Sequence, residues 1–318
     1  MNSGKWFLCT LLFLILAAGM LCAQMPVGPN RPASVPSNYV ITPFGYFHPS
    51  CVREIKEDQT VLGDGRILYA NGTEEANVPF CNYPRYRASG EMVVPGVKPP
   101  YIDWDWIEAA QISTETSTYG KIKANWTVPS TPMTNDGQTL FFFPGFMDID
   151  DTELIIQPVL GWNDGQSGVG PWNIASWNCC PSGTANFSTP VTVNVGDQIQ
   201  GIIKSTCAAG NPSCSTWNIT TKDLTTKRRT ILKNSPSEGQ TFNWAQSGVL
   251  EVYSIYTCSD FPPDGSITFS GVALFDYNFK KIKKPAWTPM YWVQQGATDP
   301  WCNYLTTTAA TTATLKYQ

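Results

Sequence analysis

Histidine is almost absent from this sequence: one residue, His48, in a chain of 318. That excludes a Ser-His-Asp or Cys-His nucleophile in the body of the chain, and with it a histidine-rich zinc site. The lone ring stands in His48-Pro49-Ser50-Cys51, a setting read as structural. Charge is scarce too, with Asp, Glu, Lys and Arg at 14% and a formal net charge of −4. A weakly acidic chain is not built for nucleic acid. No P-loop, no glycine-rich dinucleotide fingerprint and no C-x-x-C spacing occurs, so neither a metal nor another cofactor is expected. Beyond residue 23 no apolar run is long enough to cross a bilayer, so no membrane association is expected after the leader is lost.

Residues 1–23 read as that leader. Lys5 supplies the positive start, Trp6 to Leu16 the apolar stretch, and Leu21-Cys22-Ala23 a small-residue cleavage site. A secreted, extracellular, monomeric protein is expected. Of ten cysteines, Cys9 and Cys22 leave with the leader. The remaining even set favours disulfides in an exported chain. Cys51 with Cys81 and Cys207 with Cys214 are expected as local staples, while Cys179, Cys180, Cys258 and Cys302 are expected to cross-link later strands. Sequons at Asn71, Asn125, Asn186 and Asn218 mark candidate glycosylation sites.

What is abundant points to an all-β chain: aromatic residues at 13%, 25 glycines and 25 prolines. A proline-rich lead-in from Gln24 opens an N-terminal region, residues 24–100, with a cysteine-bearing hairpin unit and a linker from Ala88 to Pro100. Residues 101–279 form the main domain. There, short alternating runs recur at sandwich spacing, and TPVTVNVGDQIQGIIKST and STWNITTKDLTTKRRTILK both read as hairpins. The tail, 280–318, is expected to give one edge strand and then disorder.

Two polar residues stand out in apolar strands. Gln157 sits among Leu154, Ile155, Ile156, Val159 and Leu160, and Glu251 lies in Val249-Leu250-Glu251-Val252-Tyr253. A buried amide or carboxylate needs partners or a task. With histidine eliminated, two routes to hydrolysis remain. Two carboxylates can cleave a glycoside, and one carboxylate with an amide can cleave a peptide. Glu108, Glu115 and Glu153 read as surface or turn residues.

An ordered series of motifs then resembles one family, the glutamic peptidases or eqolisins, over about residues 104–276. Trp106-Ile107-Glu108-Ala109-Ala110 is similar to its opening strand. Tyr119-Gly120 with Trp126-Thr127-Val128-Pro129 is similar to G-x-F-x-V-P. Phe143-Pro144-Gly145, with Asp148 behind it, resembles W-V-G-I-D, where Phe143 replaces a tryptophan. Ile156-Gln157-Pro158 falls at the catalytic L-Q-T. Ala175-Ser176-Trp177-Asn178-Cys179-Cys180-Pro181 resembles A-W-Y-E-W-Y-P, with Asn178 in place of a glutamate. Gly196-Asp197-Gln198-Ile199 matches G-D-x-I, and Val249-Leu250-Glu251-Val252-Tyr253 falls at A-E-W-I-V-E.

The resemblance implies an antiparallel two-sheet sandwich of concanavalin or jelly-roll type that hydrolyses peptide bonds in protein or peptide substrates. Glu251 would be the general base, and Gln157 would orient water and stabilise the oxyanion. Phe143, Asp148, Trp177 and Asn178 would line the substrate groove. It also implies that the N-terminal region covers the cleft between Gln157 and Glu251 and is removed at low pH. A permanent accessory domain is the alternative there. For the whole chain the alternatives are a non-catalytic sandwich that binds glycans or proteins, and a two-carboxylate glycosidase.

Overall fold

The structure, a computed structural model, describes residues 31–76, 81–93, 106–114, 117–150, 154–165, 170–180, 183–291 and 302–318. Residues 1–23, expected as a leader, most of 88–100, expected as a linker, and Glu115 and Glu153 lie outside them. Among the described residues the regular structure is β-strand apart from two short 3-10 turns, Pro49–Cys51 and Cys258–Asp260.

Two sheets stack face to face. One has nine strands, in the order Thr288–Tyr291, Trp106–Ser113, Trp244–Tyr253, Thr139–Met147, Ile155–Trp162, Trp172–Cys179, Ala185–Ser188 and Val52–Ile55, with Val191–Thr192 pairing beside Trp172–Cys179. The other has seven: Arg229–Pro236, Thr216–Asp223, Gln198–Ser205, Tyr119–Thr127, Ser266–Asp276, Thr312–Lys316 and Leu305–Ala309. Ile122, Trp126, Phe142, Ile156, Leu160, Leu250 and Phe269 pack between them as the main core.

The strand sequences record which faces are covered. Tyr119–Thr127 alternates buried with half-buried residues, so Ile122, Ala124 and Trp126 face inward while Lys121, Lys123 and Asn125 face water. Thr139–Met147 (TLFFFPGFM) is buried at every position. A run without alternation needs cover on both faces, and the N-terminal region provides the second. Val35, Tyr39, Phe44, Tyr46 and Phe47 form one apolar cluster with Phe141, Phe143, Trp177, Val249 and Tyr253 on the outer face of the nine-stranded sheet. The molecule thus has three layers rather than two.

Several expectations are corrected. TPVTVNVGDQIQGIIKST is not a hairpin: Val191–Thr192 pairs with the Trp172 strand, whereas Gln198–Ser205 pairs with Tyr119–Thr127 and Thr216–Asp223. The Gly196 turn, at φ +87°, instead carries the chain from one sheet to the other. STWNITTKDLTTKRRTILK does form an antiparallel hairpin. The tail is ordered at its end. Leu305–Ala309 and Thr312–Lys316 pair with each other, the latter also with Ser266–Asp276, because Ala313, Leu315 and Tyr317 alternate into the core. From the N-terminal region, Val52–Ile55 joins the sandwich as a parallel edge strand beside Ala185–Ser188. Disulfides link Cys51–Cys81, Cys207–Cys214 and Cys258–Cys302, but Cys179 and Cys180 bond to each other instead of cross-linking strands. Asn186 is 1% exposed, with its Nδ2 donating to Thr184 Oγ1, so the folded chain cannot present it to a glycan; Asn71 is exposed and Asn125 and Asn218 half-exposed. His48 caps the first 3-10 turn and stacks on Tyr83 at 3.7 Å.

Candidate functional site

Gln157 and Glu251 lie on the same outer face of the nine-stranded sheet, and neither is exposed at all. Phe141, on the strand between theirs, pairs with Glu251 on one side and with Gly161 on the other. Gln157 is four residues from Gly161, an even step that keeps it on the same face. The same register sets the two Cα atoms about 13 Å apart along the strands and about 10 Å across them.

Each group has its own partners. Glu251 Oε1 accepts from Tyr253 OH at 2.6 Å, and Oε2 accepts from Trp106 Nε1 at 3.1 Å. Tyr253 lies further from Gln157 along the strand, and Trp106 lies on the strand away from it, so both donors draw the carboxylate off. Gln157 Nε2 donates to the main-chain carbonyl of Pro43 at 2.5 Å, and Oε1 meets no hydrogen-bond partner among the described residues. Pro43 and Phe44 form the tip of the hairpin between Val40–Thr42 and Gly45–Phe47. Past that tip, Tyr46 meets the Tyr253 ring edge-on at 5.3 Å and lies under the Arg31 guanidinium at 4.8 Å. The N-terminal hairpin therefore reaches both residues at once, its carbonyl on the amide and its tyrosine on the carboxylate's donor.

Of the other expected groove residues, Phe143 and Trp177 are on this face. Phe143 meets Trp106 edge-on at 5.9 Å, and Trp177 sits directly across from Gln157 and stacks on Phe187 at 4.8 Å. Asp148 is a turn clamp, accepting from the main-chain N–H of Asp150 and of Thr241. Asn178 points the other way, its Nδ2 donating to Ser235 Oγ at 2.7 Å and Pro236 O at 2.9 Å in the opposite sheet. Glu108 is no surface residue. It is fully buried on the inner face, where Oε1 accepts from Leu305 N and Lys316 N, and burial pushes its carboxyl up to about 8.

Sequence reasoning missed Tyr253 as a partner of Glu251, although an i, i+2 spacing on a strand signals a shared face. It also missed Gln246, described below. Among the described residues no group of three His, Cys, Asp or Glu side chains is placed to hold a metal ion.

No family model and no curated relative matches the chain. Among solved structures it is similar to scytalido-glutamic peptidase in complex with a peptide-based transition-state analogue, at 15% identity and TM-score 0.49, over 67% of this chain and 98% of that one. It is also similar to SCP-B, a member of the eqolisin family, in complex with the tripeptide Ala-Ile-His, at 14% identity and TM-score 0.48, over 67% and 98%. Aspergilloglutamic peptidase from Aspergillus niger aligns at 19% identity and TM-score 0.42, over 57% and 99%.

Proposed function

We propose that the outer face of the nine-stranded sheet binds unfolded polypeptide, and that the chain is a secreted peptide hydrolase of glutamic type closed by its own N-terminal region. The observation that carries this reading is the bond from Gln157 Nε2 to a peptide carbonyl, that of Pro43. A donor that holds a ground-state carbonyl is placed to hold the oxyanion that develops from one during hydrolysis. An amide does not titrate, so the donor persists in acid. Glu251 is the base in this reading, taking a proton from water and returning it to the leaving amine.

In the covered form Glu251 is turned toward Trp106 and Tyr253, away from the amide. Departure of the hairpin removes Tyr46 from Tyr253 and opens the face to water, and hydrolysis requires the carboxylate to turn toward Gln157. A second reading, a polypeptide-binding sandwich that does not hydrolyse, is favoured by the same separation. The test is to incubate the full chain with denatured protein from pH 3 to 7, following substrate cleavage and the chain's own mass. Cleavage that begins as the N-terminal region is lost is the expected result. A full-length chain already active would sink the covering role. No cleavage at any pH would remove hydrolysis and leave binding.

A further inference from the structure

Gln246 lies on the strand Trp244–Tyr253 and pairs with Gly145. On the opposite side of Gly145, the register Phe142↔Leu160 and Phe146↔Ile156 puts Gln157. Gln246, Gly145 and Gln157 therefore form one row across three strands. All three face outward. A β-carbon built on Gly145 would come within 2.9 Å of Gln246 Oε1 and 3.2 Å of Ile155 Cδ1, an outer-face residue. Gly145 has no left-handed φ to explain it; its use is the notch it leaves, over which the Gln246 amide leans.

Gln246 is fully buried, and among the described residues neither its Oε1 nor its Nε2 has a hydrogen-bond partner, nor has Oε1 of Gln157 in the same row. An unpaired buried polar group costs about 1–3 kcal/mol, so three such atoms beside one notch are a standing cost in the covered form. The surroundings are uncharged: Phe143, Met147, Ile155 and Val249 are apolar, and Gln111, paired with Gln246 on its other side, accepts from Trp244 Nε1.

We propose that Gln157 and Gln246 are a paired amide cradle for the backbone of an extended polypeptide, with Gln246 a binding residue of that site. The proposal rests on the polypeptide-binding face described above, and not on hydrolysis. A glutamine offers one acceptor and an NH₂ donor, which match the N–H and C=O of a peptide unit. A charged ligand would be stranded among apolar side chains, whereas a peptide backbone is neutral and strongly hydrogen-bonding. The covering hairpin fills the cradle incompletely. It presents proline at this point, which gives a carbonyl to Gln157 but has no N–H of its own. A polypeptide with an N–H there satisfies more of the row, so it is the better occupant once the cover leaves.

The experiment uses the full chain and a fluorescein-labelled unfolded polypeptide, alkylated so that it cannot refold, read by anisotropy and by cleavage from pH 3 to 7. Gln246→Met keeps the shape and removes both polar atoms. It is expected to weaken binding at least tenfold while raising Tm, since unpaired polar atoms leave the interior. Gln246→Glu is expected to give binding a new pH dependence, falling as its carboxyl ionises beneath the cover. Unchanged binding by Gln246→Met with a lowered Tm would mean that the amide is bonded within the fold, and would overturn the proposal. So would a wild-type chain that binds the probe at no pH. Probe bound but never cut would remove hydrolysis and leave the cradle standing; probe cut with equal KM by wild type and Gln246→Met would do the reverse.

Discussion

Glu108 makes the stability of this fold depend on acid, and the size of the effect follows from its surroundings. The carboxyl lies between the sheets, where burial raises it from an ordinary 4.5 to about 8, against the pull of two main-chain N–H donors, Leu305 and Lys316. The folded form therefore keeps the proton long after the unfolded chain has released it. Below pH 4.5 both states are protonated and Glu108 costs nothing. From there upward the folded state binds one more proton than the unfolded state, so stability falls by about 1.4 kcal/mol per pH unit until the folded group itself ionises near 8. The whole loss is of order 5 kcal/mol, a large share of the ~5–15 kcal/mol that holds a typical domain together. Glu108→Gln keeps the shape and one acceptor oxygen and removes the titration. Urea unfolding of both proteins at each pH from 4.5 to 8.5 should show nearly equal stability at the acid end. The difference should then widen in favour of the variant by several kcal/mol at the alkaline end. Other groups titrate in both proteins and cancel in the difference. Parallel curves would refute the reasoning.

Three further outcomes are expected. Glu251→Gln should lower peptide hydrolysis by about 10²–10⁴-fold with little change in Tm, because Trp106 and Tyr253 still find partners on the amide; steady-state rates on denatured protein test it. Gln157→Ala should lower kcat by about 10²–10³-fold and, by removing the bond to Pro43 O, speed hydrogen exchange across 40–47 in the intact chain. Tyr46→Ala takes a ring that is 1% exposed off Tyr253. At about 3 kcal/mol for a buried aromatic, it should raise exchange in the covering hairpin about a hundredfold, as read by mass spectrometry.

Much of the architecture was legible because alternation survives wherever one face meets water, as in Tyr119–Thr127 and Gln198–Ser205. The nine-stranded sheet was harder, since covering its second face erases the period and leaves a run such as TLFFFPGFM. Gln157 announced itself by being polar in such a run. Gln246 did not, and strict alternation would have misplaced it: counting back from Glu251 by twos reaches Ser247. The register shift between Gln246 and Gly248 moves Gln246 to the outer face, and a bulge of this kind leaves no period to read. Glu108 looked superficial because its cover is the Leu305–Lys316 hairpin, almost two hundred residues away, in a Thr/Ala-rich tail that reads as disorder.

The parallel pairing of Val52–Ile55 with Ala185–Ser188 bears on what happens if the N-terminal region departs. That pairing is the outermost seam of the nine-stranded sheet. Stripping it away would not simply bare a groove; it would leave Ala185–Ser188 with a row of unanswered main-chain groups, the kind of raw margin onto which a strand from another molecule adds. A chain trimmed only ahead of Val52 would keep its selvedge and stay dispersed, whereas one trimmed beyond Ile55 should be prone to self-association through this margin.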